Sequence, residues 1–231
     1  MLEMIAFDAD DTLWHNELHY QDAQESLKQI LAGWAAPEVI EDTLNHIELN
    51  NLTLYGYGVK AFVLSMIETA LQVSDNRVPG GIIDGILSIG RTMLQKEVTL
   101  LPHVDETVQT LSKTHRLMVI TKGDVLDQTN KVERSGLADY FTHVEVVAEK
   151  SKAAYQEIFE KYKLAPDTIL MVGNSIRSDV LPILELGGKA VHIPADTTWA
   201  HEQVNDFDSS QNGYYQLAHI GMLPALIADT F

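Results

Sequence analysis

The chain contains no cysteine. That excludes disulfides, thiolate catalysis and cysteine-ligated zinc. Basic residues are scarce: 16 Lys and Arg stand against 33 Asp and Glu, a formal net charge of -17. A general nucleic-acid binder needs a basic stripe, and anionic lipid attracts polybasic segments. Neither nucleic acid nor a membrane is therefore an expected partner. A small phosphorylated substrate stays open, provided the site supplies its own positive charge through a metal or a few placed lysines. No run approaches the ~20 apolar residues of a membrane span. The start Met1-Leu2-Glu3 lacks a basic segment and Asp8 interrupts the apolar run, so no signal peptide is expected and the expected compartment is the cytoplasm. Low-complexity tracts and internal repeats are also missing. What is there is a length of 231 residues with 45% hydrophobic content, enough for one large domain or a core with a smaller insertion.

The most telling stretch is Met4-Ile5-Ala6-Phe7-Asp8-Ala9-Asp10-Asp11-Thr12-Leu13-Trp14. Four apolar residues, consistent with a buried strand, run straight into an acidic cluster. Asp8 and Asp10 are separated by one residue, which places two carboxylates close together just past the apolar run. Crowded carboxylates repel and call for a cation or a shared proton. Oxygen-only ligands suit a hard ion such as Mg2+. Asp-x-Asp by itself is a weak motif, and an acidic loop capping the next helix is the competing reading at this point.

Residues 15–97 read as about four helices forming a bundle of their own. Apolar spacing runs through Ala23, Leu27, Ile30, Leu31 and Trp34. Pro37 sits well for a first helical position, and Tyr55-Gly56-Tyr57-Gly58 and Pro79-Gly80-Gly81 break the pattern. From residue 98 onward strands alternate with helices. Apolar runs at 117–120, 144–147, 169–172 and 190–194 read as strands. Helices are predicted over 104–111, to about Ser135, over 153–162, over 180–186, and over 215–227 with a bend near Pro224; residues 195–213 read as loop. The pattern predicts an α/β fold with a Rossmann-like, doubly wound parallel sheet. Residues 1–14 and 98–231 would form the core. Residues 15–97 would form an inserted helical cap, entering where the acidic cluster lies and able to sit over it as a lid.

Three apolar strands end in polar residues: Asp8-x-Asp10, Thr121-Lys122-Gly123, and Gly173-Asn174-Ser175 followed by Asp179. A fourth stretch, Glu149-Lys150-Ser151-Lys152, follows another strand. In a parallel sheet all four share the carboxyl edge, where such folds bind ligands. In this combination and order the sequence resembles the haloacid dehalogenase-like hydrolase superfamily over nearly its whole length, in a phosphatase branch with an α-helical cap.

The resemblance implies a Mg2+-dependent phosphatase acting on a small phosphorylated metabolite through an aspartyl-phosphate. Asp8 would be the nucleophile. Asp10 would be the general acid and base and give its backbone carbonyl to Mg2+. Thr121 would bond a phosphoryl oxygen, with Lys122 and Gly123 adding backbone N–H donors, and Thr12 would buttress the turn beside the substrate. Lys152 would neutralise the nucleophile; it is preferred to Lys150 because it lies closer to a helix start. Asp8, Asp10, Asn174 and Asp179 would hold the metal, although the family's fourth motif commonly reads Gly-Asp where this chain has Gly173-Asn174. Dehalogenase members lack the second carboxylate, so Asp10 points to a phosphoester. A phosphomutase, a phosphonate-cleaving enzyme using a cap lysine such as Lys60, and a non-catalytic binding protein on the same fold are the alternatives. A monomer or homodimer is expected.

Other residues carry less. His15, His103, His192 and His201 lie on different predicted elements and make no metal pattern. Trp14 reads as packing. Tyr55, Tyr57 and Gly58 form either a plain turn or a specificity loop, with Tyr57 the candidate substrate contact. Trp199-Ala200-His201 lies in a late loop that could reach the site rim.

Overall fold

The computed structural model describes residues 2–195, 199, 202, 204 and 206–231. Ala200 and His201 of the late loop lie outside the described residues. The first strand, β1 (Met4–Phe7), is buried along its whole length. It pairs in parallel with β2 (Arg116–Lys122) on one side and β4 (Ile169–Gly173) on the other, so that Ile5 lies level with Leu117 and Leu170. With β3 (His143–Val147), β5 (Lys189–His192) and β6 (Tyr214–Gln216) it makes a six-stranded parallel sheet in the order β3-β2-β1-β4-β5-β6.

Both faces of the sheet are covered, which explains why its inner strands read as continuous apolar runs. Ile5, Phe7, Leu117, Val119, Leu170 and Val172 pack on one face against Val104, Val108 and Leu111 of α5 (Val104–Ser112) and Leu223 and Ile227 of α9 (Leu223–Thr230). The alternate residues Met4, Ala6, Met118, Ile120, Ile169 and Met171 face the other way, against Tyr155, Ile158 and Phe159 of α7 (Lys152–Tyr162). Each fully buried large side chain stabilises the fold by roughly 1.5–3 kcal/mol, so the two layers fix the register of β1.

The chain runs from β1 outward to β2 and β3, then returns to β4 beside β1. The order therefore reverses at β1, and open sheets of this kind bind ligands at the carboxyl end of such a switch point. Asp8 is the first residue past β1.

Two compact units are formed, Met1–Glu17 with Val98–Phe231, and Leu18–Glu97. The second unit is helical: α1 (Glu17–Leu31), α2 (Pro37–Tyr55), α3 (Val59–Val73) and α4 (Gly80–Gln95). Its own core joins Ala23, Leu27 and Leu31 to Ile40, Leu44, Phe62, Met66 and Ile86. Asn51, buried on α2, donates to Ser65 Oγ at 3.1 Å and Glu68 Oε2 at 3.1 Å, so the polar group inside this core is satisfied. Among the described residues no helix is long and apolar enough to cross a membrane.

Three elements differ from the sequence expectation. Tyr214–Gln216 is a sixth strand, paired with β5, where a helix was expected from Tyr215. The last helix begins only at Leu223, with Pro224 in its first turn rather than at a bend; proline lacks the N–H that a first turn leaves unpaired anyway. The helix expected over 180–186 starts earlier, as a π-helical turn over Ile176–Val180 that leads into α8 (Leu181–Leu184).

Candidate active site

The N–H of Asp8 continues the sheet, donating to Val172 O at 2.8 Å, and then the chain turns. Leu13 N–H donates to Ala9 O at 2.8 Å, and Asp11 adopts a left-handed conformation with φ +59°. Aspartate tolerates that conformation better than most residues because its short side chain bonds locally. Here the Asp11 carboxylate accepts from the N–H groups of Asn16 at 2.9 Å and Glu17 at 3.0 Å, which fastens the turn.

Asp8 is buried and each of its oxygens has a donor. Lys150 Nζ contacts Oδ1, and Thr12 Oγ1 lies 3.0 Å from Oδ2. The same Thr12 hydroxyl is 3.3 Å from Asn174 Oδ1, which puts that amide oxygen beside the nucleophile candidate. Lys150 Nζ also donates to Asp179 Oδ1 at 2.7 Å. Asp179 Oδ2 in turn accepts the Ser175 N–H at 3.0 Å across the π-helical turn. Gly173 makes room for this arrangement: a Cβ there would lie 2.2 Å from Asp179 Oδ2.

One buried ammonium thus faces two buried carboxylates. Burial pushes the Asp8 carboxyl up; Lys150 opposes it, Asp179 adds to it, and the result is about 7. Burial alone would lower Lys150, but the charges of Asp179 and Asp8 outweigh it and raise its pKa above the ordinary lysine value. Among the described residues no three His, Asp or Glu side chains are grouped to hold a metal ion. The available donors are instead two carboxylates (Asp8, Asp179) and the Asn174 amide oxygen. An all-oxygen set with uncompensated negative charge fits a hard divalent cation.

Asp10 has a separate set of partners. Trp14 Nε1 and Lys131 Nζ each donate to its Oδ1 at 2.7 Å, and Gln128 Nε2 donates to its Oδ2 at 2.8 Å. Burial would raise this carboxyl, but the Lys131 charge and the three donors outweigh it and hold Asp10 below the usual carboxylate range. The two carboxylates are therefore shifted in opposite directions, Asp8 upward by burial and Asp10 downward by its cation and donors.

The lysine beside Asp8 is Lys150, which corrects the expectation of Lys152. Ser151 caps α7, its hydroxyl accepting from the Ala154 N–H at 3.2 Å. Lys152 is then the first helical residue and projects outward, half exposed, 3.9 Å from Glu185. Lys150 precedes the cap and turns inward, with 3% of its surface exposed. Thr121 is buried near the end of β2. The Gly123 N–H, expected to serve a phosphoryl group, donates to Val147 O at 3.3 Å instead. The Lys122 side chain contacts Glu202 and lies 3.1 Å from Ser178 Oγ. Tyr57 lies between α2 and α3 in the helical unit, half-buried. His192 donates from Nε2 to Asn174 O at 3.0 Å, a support for the turn rather than a ligand.

Several residues escaped the sequence reading. Gln128 and Lys131 sit three apart on α6 (Val125–Arg134), a helix that reads simply as polar. Glu202 accepts from Ser175 Oγ at 2.5 Å and Ser178 Oγ at 2.6 Å besides meeting Lys122. Burial would raise its carboxyl, but Lys122 and the serines bring it down to about 2. Trp14 is fully buried, as packing predicts, yet its indole N–H is also a partner of Asp10.

The haloacid dehalogenase-like hydrolase family model matches residues 2–187. The chain belongs to this family. A haloacid dehalogenase-like hydrolase from Xanthomonas campestris superposes with a TM-score of 0.88 at 33% identity, over 99% of this chain and 91% of that one. The glyceraldehyde 3-phosphate phosphatase of Methanothermobacter thermautotrophicus is 26% identical over 221 residues, 90% of this chain and 94% of that protein. A magnesium-bound structure from Bacillus subtilis, described as a hydrolase of the same family, shares the fold at 15% identity, with a TM-score of 0.69 over 98% of this chain and 99% of that one. In this haloacid dehalogenase-like hydrolase the carboxyl ends of β1, β2 and β4 and the loop after β3 carry the polar groups described above.

Proposed function

We propose that this chain is a Mg2+-dependent phosphatase that hydrolyses a small phosphorylated metabolite through an aspartyl-phosphate on Asp8. The observation that carries the reading is the separate provision for Asp10: a second carboxylate two residues past the first, with its own cation, Lys131. A second acid is useful where the leaving group must take a proton, as an alcohol does and a halide does not. The similarity to a glyceraldehyde 3-phosphate phosphatase supports a phosphoester of small size.

Asp8 attacks phosphorus as the bond to the alcohol oxygen breaks, and Asp10 gives that oxygen a proton. Asp10 then takes a proton from a water that attacks the same phosphorus, and the bond to Asp8 breaks, restoring the carboxylate. Lys150 holds Asp8 and offsets the charge on the transferring group, Thr12 fixes the other Asp8 oxygen, and Thr121 bonds a phosphoryl oxygen. Bound Mg2+, held by Asp8, Asp179, Asn174 and the Asp10 carbonyl, would supply the positive charge that keeps Asp8 ionised and neutralises phosphoryl oxygens. Phosphoryl transfer depends mainly on such positioning and neutralisation.

The test is phosphate release from a panel of about a hundred phosphorylated metabolites, chosen to cover sugars, nucleotides and small acids. Release is expected with Mg2+, is abolished by EDTA and is absent in Asp8→Asn. A protein that cleaves no ester, or an Asp8→Asn variant that keeps the wild-type rate, overturns the reading.

A further inference from the structure

We propose that Gln128 and Lys131 are positioning residues for Asp10, holding its carboxylate by both oxygens so that one lone pair on Oδ2 is left for the proton in transit. The inference rests on the phosphatase reading above.

A carboxylate has about four lone-pair sites in its plane, two on each oxygen. At Asp10 three of them are taken. Oδ1 accepts from Trp14 Nε1 and from Lys131 Nζ, each at 2.7 Å. Among the described residues Oδ2 accepts only from Gln128 Nε2, at 2.8 Å. A carboxylate held at one oxygen can still rotate about χ2. Holding it at both fixes the plane, and the site left open on Oδ2 becomes a defined place for a proton.

The holding groups are themselves fixed. Asp124 caps α6, accepting the Asp127 N–H at 3.0 Å. One turn on, Gln128 is 3% exposed and Lys131 is largely covered, its side chain 13% exposed. Lys131 Nζ has a second anchor in Asn16 Oδ1 at 2.9 Å, and Gln128 Nε2 a second in Lys122 O at 3.2 Å. Gly123, between β2 and α6, has φ +139°, and a Cβ there would come within 3.0 Å of Gln128 Nε2. The connection from β2 to α6 therefore leaves space for this amide. Gln128 Oε1 has no partner among the described residues, so satisfaction of its own hydrogen bonds does not account for the residue being there. Its donor to Asp10 does.

General acid catalysis matters most when the leaving group is poor, so two esters separate positioning from a merely structural role. The parameter is kcat/KM, which covers only the steps through departure of the alcohol. An alkyl phosphate needs the proton from Asp10; p-nitrophenyl phosphate, whose phenolate leaves unprotonated, does not. Lys131→Met and Gln128→Met are expected to lower kcat/KM on the alkyl ester by about 10²-fold, and the alkyl-to-aryl ratio by at least ~10-fold. Lys131→Arg restores most of the ratio. In an Asp10→Asn background Lys131→Met is expected to lower the alkyl rate no further, because the two residues act as one unit. If Lys131→Met does not fold, Gln128→Met carries the same comparison. Equal losses on both esters, or additive losses with Asp10→Asn, overturn the inference and leave the phosphatase reading standing. A wild-type protein that cleaves neither ester sinks both.

Discussion

Lys150 and Asp179 form a buried ion pair of 2.7 Å, and the same ammonium rests against Asp8. One cation thus joins the end of β1 to the turn after β4, two segments about 170 residues apart in sequence. The shared contact favours Lys150 of the two lysines of the third motif, because among the described residues Lys152 reaches only Glu185.

Lys150→Met is expected to reduce phosphatase kcat by about 10²–10³-fold, the range seen when a preorganised electrostatic partner of the reacting group is lost. Lys152→Met should stay within about twofold of wild type. The Lys150 change also leaves two carboxylates buried without their cation, so destabilisation of roughly 3–5 kcal/mol is expected. Urea unfolding monitored by circular dichroism measures it, and the kinetics are compared without denaturant at a temperature where both variants are folded. Equal effects of the two substitutions would contradict the assignment.

Gly173→Ala tests the close approach behind the motif. The added Cβ would lie 2.2 Å from Asp179 Oδ2, 2.3 Å from its Cγ and 2.6 Å from its Cβ, so the carboxylate must move. Overpacking of this kind costs about 1–3 kcal/mol. The Mg2+ concentration for half-maximal phosphate release should rise at least about threefold, about 0.7 kcal/mol in binding free energy. An unchanged Mg2+ titration would show that Asp179 does not need its position.

Glu202 sets a pH dependence of stability. Its folded-state carboxyl is held down at about 2 by Lys122, Ser175 and Ser178, below the ordinary glutamate value of 4.5. As pH falls below about 4.5 the unfolded chain takes up the proton first. The stabilisation is therefore present at neutral pH and lost as pH drops through about 2. Glu202→Gln should lower stability at pH 7 by at most about 3 kcal/mol, with the wild-type and variant urea midpoints converging as pH falls from 4.5. A difference that is the same at pH 7 and pH 3 would contradict the ion pair.

The strands that read clearly in the sequence are those buried on both faces, such as Met4–Phe7 and Ile169–Gly173, because a short, uninterrupted apolar run between polar residues suits a strand covered on both sides. Tyr214–Gln216 did not read as a strand: it is three residues long and only half buried, and it precedes apolar residues with near-helical spacing. The carboxyl ends of the strands pointed to the neighbourhood of Asp8, Asn174 and Asp179, since a parallel sheet brings those ends together whatever the loops do. Which loop lysine turns inward was not legible, because it depends on Ser151 capping α7 and so sending Lys152 outward. The Gln128 and Lys131 contacts were hidden for a related reason. Three apart on a short polar helix, they look solvated until the turn at Asp11 places Asp10 against them.

The most direct measurement is chemical trapping of the proposed covalent intermediate. Wild-type protein turning over a phosphoester with Mg2+ is quenched with borohydride, which reduces an aspartyl-phosphate to homoserine, and the site is located by peptide mass spectrometry. The account predicts homoserine at residue 8, dependent on substrate and missing from Asp8→Asn. Sustained phosphate release with no modification at residue 8, or with the modification at another carboxylate, would contradict it.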